Sequence, residues 1–301
     1  MNQSTIRTLN YLKGIKKSAY PIVEILDQIK TLNDNGYISG TLPVETEIVR
    51  ARLHDDNESF YSKSQLTYVP NQLNTKYKRA STPNNTMFYG TLSNPQPARY
   101  SDLRDIPLIE CHPWLRDKTT KGYRKVTFGR WKLLKEIRFV AIVQHDNFKS
   151  VNPTIKYLSD VFNKMLTENR EDTIEITNFF ASEFAKEETT NDYDYLISAI
   201  LSEEYLKAGI DGIIYPSVRS NGEVFNVAIT AEVADKYMTL VQVTECSVYK
   251  YFENCWMDND FNTLLYANQT NFTLEPLEYP EHIGTEYCLK QLGLSSLDEL
   301  K

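Results

Sequence analysis

Apolar and polar residues alternate with the period of a strand in some segments of this chain and with the period of a helix in others. Four segments have the strand period: 47–53, 86–92, 125–131 and 137–143. Three later segments carry apolar residues at steps of three and four: 153–168, 173–187 and 193–207. The pattern predicts four strands followed by three amphipathic helices, the last of which is closed by Gly209.

Both ends of the chain add further predicted elements. After Pro21, apolar residues recur at helical steps up to a polar stop at 33–36. Strands are predicted at 237–243 and 247–252, and an amphipathic helix at 286–300. We therefore predict an α+β fold in three consecutive segments: a helical N-terminal extension (1–44), a central domain (45–235) and a C-terminal extension of strands and a helix (236–301).

The segment 211–229 is predicted to form a short buried strand, a tight polar turn and a second apolar strand. The turn carries Ser217 and Arg219 within the sequence Tyr-Pro-Ser-Val-Arg-Ser. Polar residues in such a turn either satisfy turn backbone groups or form a binding site held between two rigid strands. The apolar residues predicted to be buried on either side are Ile213, Ile214, Val227 and Ile229.

Two arginines share one face of the strand predicted at 47–53. Strand alternation places Ile48, Arg50 and Arg52 on one side of the strand. Val49, Ala51 and Leu53 lie on the other side. Like charges side by side on a strand repel each other. The pair therefore either faces solvent or binds an anion such as a diphosphate.

Two further charged residues are candidates for the same site: a third arginine in a polar loop, and a glutamate in an apolar segment. Arg79 belongs to a polar loop that directly precedes the predicted strand at 86–92. Glu110 lies in the apolar run Leu-Ile-Glu-Cys, where a carboxylate without a partner is costly.

These residues occur in an order that resembles the RES-domain family, which is named for its Arg, Glu and Ser residues. The order is an arginine on the first strand, an arginine loop before a Phe-Tyr strand, a glutamate in an apolar segment and a late Tyr-Pro-Ser-x-Arg-Ser turn. The resemblance covers about residues 45 to 230, and the family includes the toxins of RES-Xre toxin-antitoxin pairs. It implies an ADP-ribosyltransferase-like mixed β core with flanking helices, and an enzyme that breaks the bond between nicotinamide and ribose in NAD.

The resemblance also implies the site residues of this chain. Three positions match catalytic residues: Glu110, Arg50 and Ser217. Four positions match or adjoin substrate-binding residues: Arg79, Tyr89, Arg52 as the rival of Arg50, and Arg219 in the turn of Ser217. The chain departs from the family pattern at Lys78, where glycine is usual, at Ser81, where asparagine is usual, and in a longer spacing between the tyrosine and the glutamate, filled by residues 93–105.

Three functions remain open from the sequence. The first is an NAD-degrading enzyme that uses water or phosphate as acceptor, and the second is a mono-ADP-ribosyltransferase that modifies a macromolecule. The third is a nucleotide-binding module without turnover. NAD is expected as a substrate rather than a bound cofactor, because the chain has no Gly-x-Gly-x-x-Gly fingerprint and no phosphate-binding P-loop. An antitoxin protein and a second copy of the chain are the candidate protein partners.

The composition of the chain narrows further the classes of protein to which it can belong. The excess of 40 acidic over 33 basic residues gives a net charge of −7, which disfavours a broad nucleic-acid-binding surface. No segment has the pattern of a signal peptide or reaches the roughly 18 apolar residues of a membrane span, so a cytoplasmic protein without a membrane partner is expected. The four cysteines and four histidines are scattered, which predicts reduced thiols and no metal site.

Overall fold

The structure, a computed structural model, describes nine stretches of the 301 residues: 1–32, 36–55, 58–93, 104–149, 151–166, 170–187, 189–266, 269–277 and 283–301. Helices occur together with ten strands of a mixed sheet, which confirms the predicted α+β class. The polar stop at 33–36 and the long spacer at 93–105 lie mostly outside the described residues.

The strands are β1 (Ile38–Leu42), β2 (Glu47–Leu53), β3 (Met87–Leu92), β4 (Lys121–Leu133), β5 (Ile137–Ala141), β6 (Gly212–Pro216), β7 (Phe225–Thr230), β8 (Met238–Tyr251), β9 (Asn254–Leu264) and β10 (Glu275–Pro276). The α-helices are α1 (Gln3–Gly14), α2 (Ile22–Leu32), α3 (Lys63–Leu66), α4 (Asp105–Cys111), α5 (Pro113–Arg116), α6 (Asp146–Lys149), α7 (Pro153–Met165), α8 (Arg170–Phe184), α9 (Leu196–Lys207), α10 (Ala231–Tyr237) and α11 (Thr285–Gln291).

The chain folds into two compact units that interleave along the sequence. The first unit comprises Met1–Pro43, Tyr68–Tyr89 and Glu136–Lys236. The second unit comprises Val44–Thr67, Gly90–Lys135 and Tyr237–Lys301. The sequence-based division follows the chain in consecutive segments instead, because local patterns carry no information about which distant segments pack together.

Strands β1, β5, β6 and β7 are neighbours in that order within the first unit. The pair β5 and β6 is parallel, and the other two pairs are antiparallel. Helices α1, α2, α8 and α9 contribute apolar side chains to one core with these strands, among them Leu12, Ile25, Ile29, Phe184, Ile197 and Ile213. The sequence analysis missed β1, whose five residues include a glycine and two hydroxyl residues.

Strands β2, β4, β8, β9 and β10 form an antiparallel series within the second unit. One face of β2 packs against α4, because Val49 and Ala51 share a core with Leu108 and with Phe128 of β4. This confirms the predicted apolar face of β2. The N–H and C=O groups of β2 pair with β3 only at Ile48 and Val49, through Leu92 and Thr91.

The C-terminal extension differs from its prediction in two places. The two strands predicted at 237–243 and 247–252 are one 14-residue strand, β8. The helix predicted at 286–300 is wrong in length: α11 ends at Gln291, and Gly293 follows with a φ of 73° that a right-handed helix does not allow. A separate 3-10 turn covers Leu297–Leu300. No helix within the described residues is both long and apolar enough to span a membrane.

Candidate functional site

Ser217 lies at the start of the turn between β6 and β7, and the predicted hairpin is confirmed. Its flanks Ile213, Ile214, Val227 and Ile229 are between 0% and 4% exposed. The Ser217 N–H donates to the carbonyl of Val224 over 2.7 Å, and the Gly222 N–H donates to the Ser217 carbonyl over 2.8 Å. The serine side chain is fully buried. A ligand that reaches this hydroxyl must therefore displace protein contacts or approach below the surface.

Ser220 supplies the side-chain bonds that hold this turn. Its hydroxyl donates to the Ser217 carbonyl at 3.1 Å and accepts from the Val224 N–H at 3.0 Å. The Ser217 hydroxyl accepts from the Ser220 N–H at the longer distance of 3.4 Å. The Ser220 hydroxyl thus joins the two ends of the turn.

The two hydroxyls provide a direct test of ligand binding against turn structure. Ser217→Ala is expected to lower NAD turnover about tenfold or more if the hydroxyl binds the substrate, with a smaller change in thermal midpoint than the control substitution below. Ser220→Ala is the matched control and should cost about 1 kcal/mol of unfolding free energy while turnover per folded molecule persists. Thermal melts and nicotinamide release measure both. The reverse pattern would remove Ser217 from the ligand set.

Gly222 closes the same turn in a conformation that other residues adopt at a cost. Its φ is 84°, and a Cβ built there would lie 2.7 Å from the Phe148 ring. The Asn152 side chain donates to the carbonyls of Gly222 and Glu223, each over 3.0 Å. The turn is thus fixed from outside by α6 and by the residue that caps α7.

Gly222→Ala is expected to destabilise the first unit by about 1 to 3 kcal/mol, because the left-handed backbone and the ring contact both oppose a Cβ. NAD turnover should fall with it at temperatures where the turn opens. Chemical denaturation gives the stability difference. A variant as stable as the wild type would show that the turn accommodates a side chain and is not rigid.

Arg79 is held by main-chain acceptors at the end of α8. One guanidinium nitrogen donates to the Phe184 carbonyl, and the other donates to the Lys186 carbonyl over 3.0 Å. The guanidinium carbon also lies 5.3 Å from the Tyr195 ring centre and 5.9 Å from that of Tyr215. Arginine at a helix C-terminus binds the last carbonyls and complements their partial negative charge.

Arg219 binds the same segment. Its guanidinium donates to the Glu187 carbonyl over 2.6 Å. The two arginines thus converge on main-chain carbonyls between residues 184 and 187, one from the 77–85 loop and one from the Ser217 turn. Their N–H groups at these positions are occupied, so an anion must compete with carbonyl oxygens for them.

Tyr89 connects β3 to the Arg79 loop. Its phenol oxygen accepts from the Ala80 N–H at 3.1 Å and lies 2.8 Å from the Ser81 hydroxyl. Burial raises the pKa of Tyr89 to about 12, against the opposing effects of these bonds and of the Arg79 charge. Ser81, which departs from the family's asparagine, therefore has a defined role as a partner of Tyr89.

The loop also accommodates Lys78, which stands where glycine is usual in the RES-domain family. Two backbone hydrogen bonds of 2.9 and 3.2 Å join Lys78 and Ser81. The positive φ in this loop falls on Asn84, at 60°, rather than on Lys78. The departures from the family pattern thus leave an ordered loop.

Four predicted site residues consequently share one neighbourhood of the first unit. Arg79 and Tyr89 meet through the 79–81 loop, Arg79 and Arg219 through the end of α8, and Arg79 contacts Tyr215, two residues before Ser217. The sequence analysis missed the rings of Tyr195 and Tyr215. Tyr215 lies within the turn sequence that carried the prediction, but its contact with Arg79 is not local and has no signal in the sequence.

Within the second unit, Arg52 has a local structural role. It donates to the Gln65 carbonyl at 2.6 Å and pairs with the Glu58 carboxylate at 2.5 Å, and its guanidinium carbon lies 4.6 Å from the Phe60 ring centre. These contacts fasten the loop and short helix that follow β2. A phosphate would therefore have to displace protein acceptors from both terminal nitrogens of Arg52.

Arg50 is half-buried on β2, beyond the two residues that pair with β3. Burial raises the pKa of the Cys111 thiol to about 12, and the positive charges of Arg50 and Arg116 act in the opposite direction. Cys111 directly follows Glu110.

Glu110 is half-buried on the last turn of α4. The helix is fixed by Leu108 in the core against β2 and by Arg116, which donates to the carbonyls of Ile109 and Glu110 at 2.8 and 3.3 Å. Arg50 and Glu110 both belong to the second unit, on β2 and α4. Val49 and Ala51 face α4, so strand alternation places Arg50 on the opposite face of β2. A cluster of three or more metal-binding side chains does not occur in the described part of the chain.

Comparisons with known proteins add no family. No model of a known protein family matches the sequence, and no curated protein matches it. The resemblance to the RES-domain family therefore stays a prediction that rests on the residues named above.

Proposed function

We propose that this protein is a cytoplasmic enzyme that cleaves the bond between nicotinamide and ribose in NAD. The observation that supports this most is the neighbourhood of Arg79, Tyr89, Ser217 and Arg219. These residues come from three separate segments of the chain, and the resemblance assigns all of them to one substrate. A hairpin turn and a helix end hold them on rigid elements, as a preorganised site requires.

The proposed chemistry needs electrostatic stabilisation more than proton transfer. Nicotinamide leaves as a neutral molecule from a cationic glycosidic nitrogen, so positive charge develops on the ribose as the bond breaks. We assign the Glu110 carboxylate to that charge, as carboxylates act in glycosidases. Water or phosphate then attacks the ribose carbon, and the proton of the attacking water passes to solvent or to the carboxylate.

The remaining residues hold the substrate. Arg50 is assigned to the diphosphate, which a planar guanidinium binds through two parallel hydrogen bonds. Tyr89 orients the nicotinamide ring, and Ser217 donates to the ribose or the amide. Arg79 acts first as a positioning residue in this proposal, because carbonyls of the α8 end already bind two of its nitrogens.

Specific contacts favour one competing function, a nucleotide-binding module without turnover. Arg52, Arg79 and Arg219 are all engaged by protein acceptors, and Ser217 is fully buried. A protein that had kept the fold but lost catalysis would retain such structural contacts. NAD binding without any product would support this alternative.

Incubation of the purified protein with NAD and chromatographic identification of the products tests the proposal. Phosphate-free buffer is expected to give nicotinamide and ADP-ribose, and phosphate buffer shows whether phosphate replaces water as acceptor. Radiolabelled NAD with cell extract reports transfer to a macromolecule, which would assign the protein to the mono-ADP-ribosyltransferases. Intact NAD under all three conditions would contradict an enzymatic function.

A further inference from the structure

A cavity of about 340 Å³ lies on one sheet face of the second unit, next to α4. Its floor consists of side chains that are neighbours across three strands: Arg130 pairs with Gln242, Phe128 with Thr244, and Thr244 with Asn262. Strand positions do not shift easily, so the geometry of this floor is fixed. Its volume is in the range of small-molecule sites.

Arg130 carries the strongest signal for a ligand. Its side chain lines the cavity and is 42% exposed, whereas its Nε atom is buried. A carboxylate oxygen of Glu47 is 3.7 Å from one terminal nitrogen of the guanidinium, which is an ion pair beyond hydrogen-bond distance. The terminal N–H groups of a guanidinium that lines a cavity can bind an oxyanion through two parallel hydrogen bonds.

The charge balance of the cavity also favours an anion. Among the described residues that line it, Arg104 and Arg130 are positive and Glu47 is negative. Glu47 is further neutralised by Lys132, whose ammonium nitrogen lies 3.7 Å away. Arg104 is fixed at the rim by a 2.5 Å bond to the Asn259 amide oxygen, with its guanidinium carbon 5.5 Å from the Phe128 ring centre.

The other lining groups suit a polyhydroxylated molecule better than a bare anion. Gln242 donates to the Asn262 amide oxygen at 2.9 Å, and the Thr244 hydroxyl donates to the same oxygen at 3.1 Å. These bonds fix the orientation of two amides beside the arginine. Sugar hydroxyls both donate and accept hydrogen bonds, and a side-chain amide likewise has donor N–H groups and an acceptor oxygen. Phe128 and Val49 supply apolar surface for ring carbons.

We propose that this cavity binds a small phosphorylated sugar, with the phosphate on Arg130 and the sugar on the amides of Gln242 and Asn262. The described residues that line the cavity include none of those assigned to NAD, and the proposal does not depend on NAD cleavage. Val49 lines it, whereas Arg50, the next residue of β2, lies on the opposite face by strand alternation.

Isothermal titration calorimetry with ribose 5-phosphate tests the proposal on the full-length protein. The wild type is expected to bind saturably, and ribose without phosphate should give no heat of binding. Arg130→Lys keeps the charge but loses the planar fork, so the affinity should fall about tenfold or more. Arg124→Lys is the matched control, because Arg124 is exposed on the same strand and lies over Trp114. It should bind as the wild type does.

Several results would overturn this assignment. One is a wild type that does not bind ribose 5-phosphate, and another is equal binding by inorganic phosphate, which would reveal a non-selective anion site. Equal affinity in Arg130→Lys would remove Arg130 from the site, and thermal melts without ligand show whether that variant is folded. If it fails to fold, Gln242→Ala takes its place and should also weaken binding. A loss of NAD turnover in folded Arg130→Lys would assign the cavity to the NAD site instead.

Discussion

Replacing Glu110 with glutamine is expected to lower nicotinamide release from NAD by about two to three orders of magnitude, which is the usual effect of removing a well-placed electrostatic group. Glutamine keeps the shape and most of the packing of the side chain but carries no charge. Because Leu108 and Arg116 anchor α4 and glutamine fills the same space as glutamate, the variant should stay folded. Purified proteins compared by product chromatography and thermal melts give both quantities.

Glu253→Gln is the matched control for this substitution. Glu253 is exposed between β8 and β9, so its loss changes the net charge equally without touching the proposed site. Turnover in Glu253→Gln should equal that of the wild type. If folded Glu110→Gln retained turnover within a few-fold, Glu110 would have no part in the mechanism, and Glu47 and Glu223 would be the next acids to test.

The second large effect is expected at Arg50. Arg50→Lys retains the charge but loses the two-pronged geometry for a diphosphate, so the Michaelis constant for NAD should rise about tenfold or more at a nearly unchanged thermal midpoint. Initial rates over a range of NAD concentrations separate this effect from one on kcat. The thermal midpoint distinguishes a lost ligand from a damaged strand.

Arg52→Lys provides the comparison, because Arg52 lies on the same face of the same strand. Its bonds to Gln65 and Glu58 predict a loss on the order of 1 kcal/mol in unfolding free energy, reduced by partial solvent exposure, with the Michaelis constant unchanged. Small and equal effects at both positions would mean that the diphosphate is bound elsewhere. A raised Michaelis constant in Arg52→Lys alone would reverse the assignment.

Elements with a clear period were predictable from the sequence. The alternation in β2 and the apolar strands of the β6–β7 hairpin follow from burial of one or both faces, and that burial is visible in the residue types. Helices α7, α8 and α9 were likewise predicted, with ends that differ by a few residues. Gly209, whose φ is 85°, marked the end of α9 in the sequence.

The full length of a strand was not predictable where the strand contains a buried charged residue that pairs with a distant residue. The strand β8 was divided in the prediction around Thr244–Cys246, where the acidic Glu245 interrupts the apolar run. In the structure Glu245 is buried and pairs with Lys125 of β4 at 2.6 Å. The partner lies 120 residues away along the chain, so no local pattern could reveal it. Strand β9 was missed because most of its residues are only partly buried.

The candidate site was predictable as a set of residues but not as a set of contacts. The order of arginines, glutamate and serine is a property of the sequence. The acceptors of Arg79 and Arg219 are main-chain carbonyls after α8, and every residue type has such a carbonyl. The sequence therefore cannot distinguish an arginine that binds a phosphate from one that binds the main-chain carbonyls at the end of a helix.

Nicotinamide release by the purified wild-type protein is the most direct measurement of the central proposal. Proton NMR of NAD incubated with the protein should show free nicotinamide and loss of the nicotinamide riboside signals over many turnovers. Folded Glu110→Gln, measured in parallel, should show neither change. Unaltered NAD with the wild-type protein, at enzyme concentrations where saturation-transfer NMR detects NAD binding, would contradict the proposal and identify a nucleotide-binding protein without turnover.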